Sequence, residues 1–162
     1  MKPKLYLETS IVSYLTARPN RDVIITANQQ LAHEWWETRD NFDIFISELV
    51  IDEASKGDVE MAQKRLDLIQ DFPLIDFNNE ARDLAKELLR QNVLPPKATL
   101  DVFHIATTTV HGLDFLLTLN CKHIANVFIF RRIEKICREF GYETPIVCTP
   151  QEILEKENDI ND

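Results

Sequence analysis

Residues 1–15 read MKPKLYLETSIVSYL. The stretch KLYL at 4–7 is a short apolar strand that reads as buried on both faces, the pattern of a strand inside a covered parallel sheet. A carboxylate, Glu8, stands where the strand runs out, followed by Thr9, Ser10 and a second apolar run. In open parallel sheets ligands bind beyond the carboxyl ends of the strands. Glu8 is therefore either a loop-edge helix cap or one wall of a site.

Working outward, strands and helices alternate. FDIFIS (42–47), PLIDF (73–77), DFLLTL (114–119) and PIVCT (145–149) read as further short apolar strands. Between them lie helical stretches. RDVIITANQQLAHEWWETRD carries Ile24, Leu31 and Trp35 near helical spacing. Ser47 is placed to cap ELVIDEAS, and Gly57 with Asp58 breaks and restarts helix for VEMAQKRLDLIQ. EARDLAKELLRQN is amphipathic, LDVFHIATTTVHG is mostly apolar and ends at Gly112, and HIANVFIFRRIEKICREFG carries basic residues in its later turns. Thr149, Pro150 and Glu152 form a capping-box start for a last helix. The order predicts one α/β domain over 1–154, a three-layer α/β/α sandwich around a mostly parallel five-stranded sheet. The polar tail 155–162 is expected to fray.

Composition narrows the function. The chain has 162 residues, enough for one domain with a core. No apolar run approaches the roughly 18–20 residues of a membrane helix, and the start lacks a signal peptide's pattern. Three cysteines at irregular spacing make no disulfide framework, so a reduced, cytoplasmic protein is expected. The net charge of −9 argues against loose, charge-driven nucleic-acid binding. It is compatible with a nucleic-acid enzyme whose acids hold a cation, and with a partner that brings a basic segment. Only three glycines are present, and no Gly-rich phosphate loop.

Two helices carry acids in unusual places. Successive residues turn about 100° around a helix. In ELVIDEAS, Glu53 falls inside the apolar arc of Leu49, Val50 and Ala54, while Glu48 and Asp52 fall outside it. An inward carboxylate is costly unless something positive meets it. In LDVFHIATTTVHG, Asp101, His104, Thr108 and His111 share a stripe free of Lys, Arg and Glu. The bland reading of Asp101 is a first-turn acid favoured by the helix dipole. Glu8 and Asn120 lie at the carboxyl ends of two strands. Three carboxylates from separate elements share a cleft only if something offsets their repulsion. All-oxygen donors suggest Mg²⁺ or Mn²⁺, ions that activate water in phosphodiester cleavage.

On these positions the chain resembles the PIN-domain ribonucleases, and within them the VapC-type toxins of bacterial toxin–antitoxin pairs. The matching segments are YLETSIVSYL, ISELVIDEASKG, DVFHIATTTVHGLDFLLTLNCKHI and PIVCTPQEIL. The resemblance implies Glu8, Thr9 and Ser10 for the family's acid-Thr-Ser/Asn pattern, Glu53 for its helical glutamate and Asp101 for its Asp-x-x-His aspartate. Its fourth acid falls at Asn120. It further implies Mg²⁺ or Mn²⁺ dependence, an RNA substrate, an antitoxin partner and a homodimer. Two positions depart: Glu8 replaces the usual Asp, and Asn120 is neutral. One metal, held mainly by Glu8 and Asp101 with Glu53 direct or through water, is the expectation. Asn120 then orients water or substrate, and Thr9 or Ser10 orients the water or a phosphate oxygen. The competing expectation is a catalytically lapsed PIN module that binds RNA or a protein.

Arg18 and Arg21 could approach RNA phosphate, and Arg131, Lys135 and Arg138 form a second basic stripe; a solvated face is the plainer reading of both. Trp35 and Trp36 read as packing rather than base stacking. Cys121 and His123 with Cys137 or Cys148 lack zinc spacing. His104 is expected behind Asp101 as a hydrogen-bonding partner. A receiver-type phosphoacceptor domain would need a lysine at the fifth strand, which PIVCT lacks.

Overall fold

A computed structural model describes residues 1–159, with side chains as far as Glu155. The sheet has four parallel strands in the order β2-β1-β3-β4: β1 (Lys4–Leu7), β2 (Asp43–Phe45), β3 (Phe115–Leu117) and β4 (Ile146–Cys148). Leu5, Tyr6 and Leu7 of the central strand are fully buried. Each contributes about 1.5–3 kcal/mol by leaving water.

Four strands replace the five the sequence predicts. The stretch 73–77 makes only a single parallel bridge, Leu74 to Ile46. The Ile46 N–H donates to Pro73 O (3.1 Å), and the Ile75 N–H donates back to Ile46 O (2.8 Å). Pairing stops there for two reasons. Pro73 has no N–H to extend the ladder, and Asn78 at once caps the next helix through its contact with the Ala81 N–H.

Helices cover the sheet. α1 (Thr9–Thr16), α2 (Val23–Glu37), α4 (Val59–Ile69) and α8 (Pro150–Asp159) pack among themselves, and α5 (Asn79–Arg90) packs on α6 (Thr99–Val110) and α7 (Val127–Glu139). α3 (Glu48–Ala54) touches both groups, meeting α1 and α6. That bridging position decides where Glu53 lies.

Local signals behave as their chemistry dictates, with exceptions. Asp58 caps α4, and Gly57 supplies a φ of 84° before it. Thr149 and Glu152 close the capping box of α8, the Thr149 N–H donating to Glu152 Oε1 at 3.1 Å. α8 runs through 155–159, part of the expected tail; 160–162 lie outside the described residues. Trp35 is fully buried, but Ile24 of the same expected stripe is exposed. Ser47 precedes α3 without capping it by its side chain. Among the described residues no helix is long and apolar enough to cross a membrane.

Candidate functional site

β1 is flanked by β2 on one side and β3 on the other, so the chain reverses direction across the sheet at β1. A crevice at such a reversal is where α/β sheets bind ligands. Glu8, Ser47 and Thr118 all follow strands at this edge.

Glu8 does cap α1: its Oε2 accepts from the Ser10 N–H at 2.5 Å. An ordinary cap faces water, whereas Glu8 is 4% exposed. Burial raises its pKa most, and the nearby His104 and the Ser10 contact only partly reverse this, leaving it above 4.5. The segment is tied across the sheet as well. The Glu8 N–H donates to Leu117 O at 3.1 Å, and Ser10 Oγ accepts from the Leu119 N–H at 2.8 Å.

Glu53 reaches in from α3. Its Oε1 accepts from the Thr9 hydroxyl at 3.0 Å and contacts His104 Nε2. Burial pushes its pKa up, but the hydrogen bond and charge of His104, with help from Thr9, bring it below 4.5. His104 is fully buried on α6. Burial alone would lower its pKa, but the Glu53 hydrogen bond and the charges of Glu8, Glu53 and Asp101 raise it above 6.5. His104 Nε2 contacts Glu53, and Nδ1 shares a hydrogen bond with the Tyr6 hydroxyl, 2.5 Å away. The Tyr6 hydroxyl is also hydrogen-bonded to Ser47 Oγ at 2.8 Å. Burial, more than any other influence, keeps the Tyr6 phenol protonated. The result is a chain of contacts, Glu53–His104–Tyr6–Ser47, from the crevice into the core.

Asp101 lies in the first turn of α6. Its Oδ2 accepts from His123 Nδ1 at 3.0 Å, and its Oδ1 faces Asn120 Nδ2 at 3.3 Å. Asn120 Oδ1 accepts from the His123 N–H at 3.1 Å. That bond turns the amide so that its nitrogen, not its carbonyl, meets Asp101. Asn120 thus donates where a fourth acid would accept.

The charges of Glu8, Glu53 and Asp101 all act on His104, but of the three it contacts Glu53 alone. The structure pairs His104 with Glu53 and Tyr6 rather than with Asp101, whose histidine is His123. Arg18 and Arg21 are exposed on the α1–α2 connection, where Arg18 O accepts from Gln29 Nε2. Neither is joined to the acid cluster among the described residues. Tyr6, Ser47 and His123 escape a reading by motif. Tyr6 looks like core and Ser47 like a cap, and only the NCKH spacing hints that His123 returns toward Asn120.

The donor chemistry suits a hard cation, being all oxygen. The arrangement does not fit a three-ligand site: among the described residues no three His, Cys, Asp or Glu side chains are grouped to hold an ion. Histidines already occupy Glu53 and Asp101. Cys121 is exposed while Cys137 and Cys148 are buried.

No family model matches the sequence, and no curated protein matches it. Solved structures do. One is a chain of VapBC2 from Rickettsia felis, bound to a DNA fragment from their promoter. It shares 18% identity at a TM-score of 0.57, over 90% of this chain and 97% of that one. Another is a chain of DNA-bound VapBC from Salmonella typhimurium, at 15% identity and a TM-score of 0.54, over 91% and 98%. At these identities the likeness is one of fold alone, a parallel α/β sheet flanked by helices.

Proposed function

We propose that the chain is an endoribonuclease that cleaves RNA phosphodiester bonds with Mg²⁺ or Mn²⁺, and that it is the toxin of a toxin–antitoxin pair. One observation carries the reading. Glu8, Glu53 and Asp101, from a strand end and two helices, lie at the carboxyl edge of a parallel sheet, near enough to one buried histidine for their charges to act on it. Ordinary surface acids have no reason to converge there at the cost of their hydration. The likeness in fold to chains of VapBC complexes supports the toxin assignment and a protein partner. An acidic chain of net charge −9 suits a partner with a basic segment.

Glu8 and Asp101 are the oxygens that would take the ion, since Mg²⁺ is commonly held by one or two carboxylates and several waters. The residues' own work is to hold that edge together. Thr9 orients Glu53, Ser10 fixes the loop after β3, and Asn120 with His123 sets the rotamer of Asp101.

A labelled RNA incubated with the wild type, with Asp101→Asn and with the wild type in EDTA tests the reading. Cleavage by the wild type alone, restored after EDTA by added Mg²⁺ or Mn²⁺, is the expected pattern. Equal products from wild type and Asp101→Asn, or undiminished cleavage in EDTA, defeat it. A lapsed module is the second reading, favoured by the amide of Asn120 on Asp101. It gives no cleavage in any lane while RNA or partner binding persists. Dimerisation belongs to the proposal too and is read by light scattering.

A further inference from the structure

The chain is acidic, with a net charge of −9, but one exposed helix face is basic. On α7, Phe128, Arg131, Arg132 and Lys135 fall within about 100° of arc, and all four are exposed. Glu139 closes the arc at its far end. The Phe128 ring is 87% exposed, whereas Trp35 is fully buried. A solvated cation usually has acids beside it, as Arg138 does: Glu134 lies 3.8 Å away and Glu143 3.9 Å away. Arg131 and Lys135 have no ion pair or hydrogen bond among the described residues. Four positions apart on one helix, they repel each other. Arg132 gives one N–H to Gln91 O at 3.3 Å and keeps its other donors. The face adjoins the acid site through two segments. The loop after β3 carries Asn120 and His123, both on Asp101, and then Asn126, whose Oδ1 accepts from the Phe128 N–H at 3.2 Å. From His123 to Phe128 the chain can reach at most about 18 Å. Gln91 ends α5, and the connection from it leads into α6 and Asp101.

We propose that this face of α7 guides single-stranded RNA to the acid site, with a base stacked on Phe128 and phosphates held by Arg131, Arg132 and Lys135. Every base has a π-face, so an exposed phenyl ring takes one whatever the sequence. Cations beside the ring hold the backbone by releasing its counterions. A strand of bases and phosphates uses both features. A second copy of this chain does not: a two-fold contact sets a face against itself, and these cations would meet their own like charges. The inference rests on the RNA reading above and adds the surface that the RNA crosses.

The test is the fluorescence anisotropy of a labelled single-stranded RNA, about ten nucleotides long, titrated with the full chain. EDTA is present, so that binding is read apart from cleavage. Phe128→Ala is expected to weaken binding about tenfold with its salt dependence unchanged, and Phe128→Trp to keep it. Arg131→Ala combined with Lys135→Ala is expected to flatten the slope of log affinity against log salt by about 1.4. Arg138→Ala, whose charge two acids already meet, is expected to stay within about twofold of the wild type. All these side chains are exposed, so circular dichroism should show every variant folded. Wild-type affinity in Phe128→Ala, or a wild-type salt slope in the double variant, overturns the inference. So does a wild type that holds no RNA. Phe128→Ala that only turns a dimer into a monomer by light scattering makes the face a contact between copies and overturns it too. RNA cleavage is scored separately. A chain that binds RNA in this pattern without cutting it loses the nuclease reading and keeps this one. A chain that cuts RNA while every variant binds like the wild type does the reverse.

Discussion

Both ends of the parallel sheet carry acids, and the two ends treat them oppositely. At the amino edge, Asp43 and Asp114 are exposed, and Asp114 Oδ2 simply accepts from the Lys4 N–H at 2.8 Å. At the carboxyl edge Glu8 is buried, and Glu53 and Asp101 each meet a histidine. An acid at a strand end is therefore no evidence of a site. Water screens Asp114 and makes its charge cheap. Removing water from the other end makes each charge costly and forces a partner on it. That investment of stability is what marks a place where chemistry is done.

The contrast can be broken by mutation. The largest effect is expected in His123→Ala, which takes the histidine from Asp101. RNA cleavage should fall about 10- to 100-fold with the thermal midpoint little changed, whereas Asp114→Asn should leave cleavage at the wild-type rate. Equal losses in both would erase the distinction between the two ends.

Tyr6→Phe comes next. It removes one hydroxyl from the middle of a buried chain and leaves His104 Nδ1 and Ser47 Oγ without that partner. A cost of about 1–3 kcal/mol in urea unfolding is expected. A neutral result would mean that the buried chain is not holding the site.

The pH dependence sharpens the comparison further. The folded pKa of Glu8 lies above 4.5, so the folded protein holds that proton more tightly than the unfolded chain does. Stability therefore falls as pH rises from 4.5 through the folded value. Glu8→Gln should melt higher than the wild type at about pH 7, with the gap closing near pH 4. His104, raised above 6.5, contributes stability that is full below 6.5 and lost as pH climbs through its folded value. Glu53, lowered, contributes stability that is present above 4.5 and lost as pH falls through its folded value. Melting curves across pH that show Glu8→Gln less stable than the wild type at neutral pH would contradict the burial argument. The smallest effect belongs to Asp114→Asn, expected within about 0.5 kcal/mol of the wild type in the same unfolding assay.

The fold was legible where short-range chemistry decides it. KLYL reads as a strand buried on both faces because the residues after Lys4 are apolar or aromatic, and it is one. The capping residues Asp58 and Thr149 act within a few residues of themselves, so their signals survive folding. PLIDF misled because apolar composition cannot reveal how far a ladder extends. Pro73 and the cap at Asn78 limit it to a single bridge, and the sheet ends at four strands. Ser47 misled for the opposite reason. A serine before a helix is a cap by default, and only the arrival of Tyr6 from a neighbouring strand gives its hydroxyl a better partner.

By itself the sequence determined the alternation of strand and helix, the covered parallel sheet and which acids sit on inward arcs. These follow from periodicity and local backbone chemistry, which any stretch of chain carries within itself. Only the tertiary structure decided which histidine meets which acid, that Asn120 turns its nitrogen toward Asp101, and that Tyr6 ties His104 to Ser47. Those pairings join residues as much as 98 positions apart. They are set by burial, which removes water as a competing partner and leaves each polar group to the neighbour that folding brings.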